Sequence, residues 1–147
     1  MLLDRADRDI YNAKWLISPS GNPSNDELLD DMAAYHVQQG IEKALKHALK
    51  TICCLDETYK GYRTHDIMAL INIVQDHSDM KIPERLINAA IDITSWEARS
   101  RYNDSPLSVR KEISEAIDMY DELKQLILAE LNKQSEQPDS SVKDTKN

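Results

Sequence analysis

Apolar residues recur along the chain at spacings of three and four, the period that gathers them on one face of an α-helix. Leu3, Ala6, Ile10, Ala13 and Ile17 form the first such stripe, which Ser18-Pro19 ends. Residues 18–25 are dense in turn formers, and Asn25 followed by Asp26 and Glu27 predicts a capped helix start. The second helix carries Ala34, Val37, Ile41, Ala44, Ala48, Ile52 and Leu55, with Gly40 as its weak point, and its length makes it the expected central helix. Lys60-Gly61-Tyr62-Arg63 predicts a loop, and Thr64 a cap for a shorter third helix with Ile67, Leu70, Ile71 and Val74. Pro83 opens a fourth helix, with Leu86, Ala89, Ala90 and Ile93 on one side, until Tyr102-Asn103-Asp104 breaks the pattern. Ser105-Pro106 repeats the start signal. Val109, Ile113, Ala116, Tyr120, Leu123, Ile127 and Leu131 then define a fifth helix.

These stripes predict an all-α fold, an antiparallel up-and-down helical bundle of four to five helices over residues 1–131. Residues 132–147 form a polar tail too poor in aliphatic residues to order itself. Short connections predict antiparallel neighbours throughout. On that count the N-terminus, the loop 56–64 and the 102–105 connection share one end. A rim of mixed charge would gather there, with Arg5, Arg63, His65, Arg99, Arg101 and Arg110 beside Asp4, Glu97 and Asp104.

Composition sharpens this picture. Three glycines, five prolines and no phenylalanine favour helix over sheet. A net charge of −8 and a pI near 4.9 argue against a protein that tracks nucleic-acid backbones along a broad cationic face, and leave room only for a local basic site. No run approaches the roughly 18 apolar residues that span a bilayer, and the N-terminus has no basic start followed by an apolar stretch, so a cytoplasmic protein without membrane contact is expected. Cys53 and Cys54 fall in the predicted second helix, where an adjacent pair cannot form an unstrained disulfide; they read as reduced, mostly buried thiols.

Three segments carry candidate chemistry. Within residues 35–46, Gln39, Glu42, Lys43 and Lys46 lie within helical reach of one another, as a solvated polar stripe or as one edge of a binding site. In Thr64-His65-Asp66-Ile67, capping is the simplest role, with His65 free to turn toward the loop. Residues 96–104 end the fourth helix with Arg99, Arg101, Tyr102 and Asp104; the guanidinium groups complement the helix dipole or grip a phosphate. The four histidines show no metal-ligand spacing among themselves, and there is no Gly-rich phosphate loop or Ser or Cys nucleophile arrangement. Neither a metal, a cofactor nor catalysis is called for by these patterns.

The order Ala6-Asp7-Arg8-Asp9, then residues 34–49 (AYHVQQGIEKALKHAL), then Thr64-His65-Asp66-Ile67, then Ala98 to Asp104 (ARSRYND), resembles the HEPN domain family over residues 1–131. The resemblance implies a helical bundle, often dimeric, tied to nucleotide or RNA biology and frequently encoded with a minimal nucleotidyltransferase in a toxin–antitoxin-like setting. Ribonucleases of the family use an Arg followed four to six residues later by a His, the Arg polarising the phosphate and the His moving the proton. Here no histidine occurs after His77. The expected function is therefore non-catalytic binding of a nucleotide, RNA or a nucleotidyltransferase partner by Arg99, Arg101, Tyr102, Asp104, Lys43 and His65. The alternatives are a metal-independent ribonuclease using His65 and Arg101, and a purely structural interaction module.

Overall fold

A computed structural model describes residues 2–102 and 110–136, with the helical backbone alone for residues 98–102. Five α-helices make up the bundle: α1 (Leu2–Leu16), α2 (Glu27–Thr51), α3 (Ile67–Asp76), α4 (Glu84–Tyr102) and α5 (Arg110–Glu136). A 3-10 turn at Lys60–Arg63 interrupts the connection between α2 and α3. Among the described residues there is no strand, and no helix is long and apolar enough to cross a membrane. The predicted Leu131 boundary is overrun, because α5 continues to Glu136; the rest of the predicted tail, 137–147, lies outside the described residues, as do 103–109 with Asp104.

The helix α2 is central, as its length suggests. All four other helices pack on it, and its buried residues run from Asp30 to Leu49 around most of its circumference, including Gln38, Glu42 and His47. Against α1 the approach is close enough to use a glycine. A Cβ at Gly40 would stand 2.8 Å from Ile10 Cδ1 and 3.3 Å from the Ala6 carbonyl oxygen. What composition alone marks as a weak point is thus the contact that lets the two longest-packed helices close. Ala6 and Ala13, both without exposed surface, keep α1 equally thin on this side.

Local chemistry moves several helix ends from their predicted residues. Asp26, not Asn25, caps α2 by accepting from Leu28 N–H at 2.9 Å, while Asn25 turns the chain with φ 53°. Asp66, not Thr64, caps α3 by accepting from Ala69 N–H at 3.2 Å, and Thr64 Oγ1 instead accepts from Asp66 N–H. The second helix stops at Thr51 because Cys54 takes the left-handed conformation, φ 57°, and Leu55 N–H reaches back to the Leu49 carbonyl at 2.9 Å. Glycine is the usual residue in that role, so the stop carries no signal in the sequence. It also corrects the cysteine reading: Cys53 and Cys54 lie beyond the helix, half-buried and exposed.

The common pole does not form. Residues 52–66 do not reverse the chain tightly; they climb back along α2, so that His65 meets Glu42 while Cys53 Sγ lies 4.0 Å from the Val74 carbonyl near the end of α3. Helix α3 therefore runs in the same direction as α2, and every later helix is turned over relative to strict alternation. Thr94 Oγ1 of α4 accepts from Ile67 N–H at 3.0 Å. Arg110, at the start of α5, binds Asp30 at 3.0 Å and Asn25 at 2.8 Å beside the head of α2, far along the bundle from the N-terminus it was expected to join. Consecutive antiparallel packing holds for α1 with α2, for α3 with α4, whose opposite ends meet at Ile67 and Thr94, and for α4 with α5, where Arg85 pairs with Glu122 at 3.0 Å.

Two carboxylates tie α1 into this frame. Asp7 accepts from Tyr120 Oη and from Lys124 Nζ on α5, and Asp9 accepts from Lys43 Nζ and contacts His36 Nδ1 at 3.0 Å on α2. Burial alone would raise both carboxyls, but these hydrogen bonds and cations outweigh it and hold both below the usual value. A depressed folded pKa stabilises above the unfolded value, 3.8, and the stabilisation is lost as pH falls through the folded value. The urea midpoint should therefore begin to fall as pH drops below about 4. Asp9→Asn should flatten that acid limb, and an unchanged limb in the variant would show that Asp9 contributes nothing to it.

Candidate functional site

The residues that bear chemistry gather midway along α2, where three separate elements meet. Gln38, Glu42 and Lys46 follow one another at intervals of four and so share a face of α2. Glu42 is 5% exposed, and its two oxygens are fully engaged. Oε1 accepts from Lys46 Nζ at 2.9 Å and lies 2.9 Å from His65 Nδ1, and Oε2 accepts from Gln38 Nε2 at 3.1 Å. Gln38 is itself buried and accepts from Gln39 Nε2 at 2.7 Å. A buried carboxylate is costly unless cations and donors surround it, and here two elements supply them.

The third element is α4. Donor atoms of Glu42, His65 and Glu97 all lie within 4.8 Å of one another. Arg101 stands one turn beyond Glu97 along the α4 backbone, with Arg99 between them; the side chains of Arg99, Arg101 and Tyr102 fall outside the described residues. Lys46 is held over the Tyr62 ring at 5.5 Å, so the 3-10 turn closes the site from a fourth side. His65 remains 66% exposed at the side chain. With Nδ1 against Glu42, it is an oriented, largely exposed imidazole at the mouth of a buried charge network.

Of the residues predicted for the site, His65 is thus brought to the end of α4, whereas Lys43 is not: its ammonium is committed to Asp9 of α1. The lysine that does reach His65 and Glu42 is Lys46. The sequence marks Glu42 and Lys46 as members of a polar stripe and Glu97 as part of a charged rim with His65, but gives no role to Gln38. The interval of four from Gln38 to Lys46 was the available signal for half of this set. The other half depends on the path of residues 52–66, which no local pattern reveals.

The HEPN domain model matches residues 1–132, nearly the whole of the described chain. The chain belongs to the HEPN domain family. No curated protein and no solved structure matches it. In this HEPN domain the family-like segments 34–49, 64–67 and 98–104 are far apart in sequence, and the first two meet at Glu42–His65 while α4 delivers the start of the third one residue past Glu97. Elsewhere a groove of about 320 Å³ lies between α4 and α5, with Ile93, Trp96 and Met119 as its apolar lining and Arg85, Asp92, Glu112 and Glu115 as its charged lining. Its three carboxylates outnumber Arg85, whose guanidinium is already paired with Glu122, so the groove disfavours phosphates.

Proposed function

We propose that this HEPN domain binds a nucleotide or the phosphate backbone of RNA at the edge formed by Lys46, His65 and the last turn of α4, with Arg99, Arg101 and Tyr102 as the principal ligand contacts. The observation that carries this reading is the convergence of Glu42, His65 and Glu97, which brings the segment rich in Arg to the same place as an exposed imidazole and a lysine. Arginine forks suit phosphate oxygens, and a site of this size escapes the objection raised by a net charge of −8. Binding is proposed without turnover, since the Arg-to-His ribonuclease spacing is missing after Arg99 and Arg101. The chain is further proposed to act as a homodimer with a minimal nucleotidyltransferase as partner, as in toxin–antitoxin-like pairs. The exposed apolar residues Tyr11, Trp15, Leu28 and Met32 on α1 and α2 support a protein interface.

The test is a thermal-shift and binding series with ribonucleotides and a short structured RNA. A bound ligand should raise Tm in the parent, and Arg101→Ala should abolish the rise while leaving the ligand-free Tm within about 2 °C, as expected of a surface substitution. No shift with any of these ligands would remove the nucleotide and RNA reading. Cleavage of the RNA in the presence of chelator, lost in His65→Ala, would instead select the ribonuclease, for which the Glu42-oriented imidazole is the favouring observation.

A further inference from the structure

We infer that Glu42, His65 and Glu97 form a binding site for a first-row divalent metal ion of the Zn²⁺ or Mn²⁺ type. The donor set is one imidazole and two carboxylates, drawn from α2, the segment before α3, and α4. Imidazole draws borderline ions such as Zn²⁺, and carboxylates suit Mn²⁺ as well, so this mixture selects against the alkaline-earth ions that prefer oxygen alone. The spacing also fits. Two donors each roughly 2.1 Å from one ion stand about 3.4 Å apart in a tetrahedral site, and about 3.0 Å (adjacent) or about 4.2 Å (opposite) apart in an octahedral one. His65 Nδ1 and Glu42 Oε1 are 2.9 Å apart, matching an adjacent pair, and the Glu97 donor lies within 4.8 Å of both side chains' donors.

The surroundings resemble those of a supported ligand more than those of a surface acid pair. Glu42 is fixed by Gln38 on its second oxygen, the outer contact that orients a ligating carboxylate. Three protein donors leave positions open on the solvent side, where His65 is exposed, for water or for an anionic ligand. On Glu42 the competitor is Lys46. Its ammonium already sits on Glu42 Oε1, so an ion must share that oxygen with it or displace it. This gives the site a signature that a structural salt-bridge cluster lacks, because removing Lys46 strengthens a metal site and merely weakens a salt bridge.

The inference does not rest on nucleotide or RNA binding, and its test uses the metal alone. The full chain, stripped with chelator and dialysed, is titrated calorimetrically with Zn²⁺ and with Mn²⁺, and bound metal is counted by elemental analysis. One ion per chain is expected. His65→Ala and Glu97→Gln, neither of them core residues, should each weaken binding about tenfold or more with unchanged helical circular dichroism. Lys46→Met should tighten it severalfold, and His36→Ala should leave it as in the parent. Failure of the parent to take up either ion, or equal uptake by the parent, His65→Ala and Glu97→Gln, would overturn the assignment.

Discussion

Gly40→Leu is expected to destabilise the protein by about 3 kcal/mol or more, lowering Tm by roughly 10 °C, because it forces α1 off α2. The first carbon of any side chain at this position would already stand 2.8 Å from Ile10 Cδ1 and 3.3 Å from the backbone oxygen of Ala6. Ile10 can turn away from a single methyl, but the Ala6 carbonyl belongs to a helix whose next turns are anchored by Asp7 and Asp9. A leucine therefore has to displace a whole element. Gly40→Ala should be near neutral, since a gain of about 1 kcal/mol in helix propensity offsets the tight contact. Urea titration of the two variants checks the contrast. A Gly40→Leu midpoint close to that of the parent would mean that the two helices are not in contact at this residue.

Glu42→Ala is the second large effect, at about 3 kcal/mol or more, and it should damage the site along with the fold. The carboxylate is the acceptor that Lys46, His65 and Gln38 share, so its removal leaves a 13%-exposed ammonium and a buried amide short of a partner. Glu42→Gln keeps the shape and one acceptor and should cost less, which separates lost charge from lost packing. Coupling between Glu42 and Lys46, measured as a double-mutant cycle with Lys46→Met, should lie in the range of about 1–3 kcal/mol. Stability unchanged in Glu42→Ala would show that the carboxylate is not buried among these groups.

The helices themselves were legible because each buries one face. Leu3, Ala6, Ile10 and Ala13 are all buried, and so are Ile113, Ala116, Tyr120, Leu123 and Ile127, just where the spacing of three and four placed them. Direction was not legible. Whether α3 returns against α2 or follows it is decided by residues 52–66, and the decisive turn is taken by Cys54 in a conformation that sequence patterns reserve for glycine. That one connection carries Arg110 to the opposite end of the bundle from where alternation puts it. The site shows the same division. His65 was readable as an imidazole at a helix start, free to turn toward the loop, but its partner is chosen by tertiary packing: Lys43 and Lys46, close in sequence, point to Asp9 on α1 and to Glu42 beside His65.

The account depends on α2, the segment before α3 and the end of α4 building one ligand-binding edge around Glu42. Backbone amide NMR of the labelled chain, titrated with the ribonucleotide or RNA that gives the largest thermal shift, tests this most directly. The account predicts that the strongest perturbations fall together on Lys46, His65 and the last turn of α4 from Glu97 through Arg99, Arg101 and Tyr102. Perturbations confined to Asp9, His36 and Lys43, or to the α4–α5 groove at Asp92 and Glu115, would contradict it.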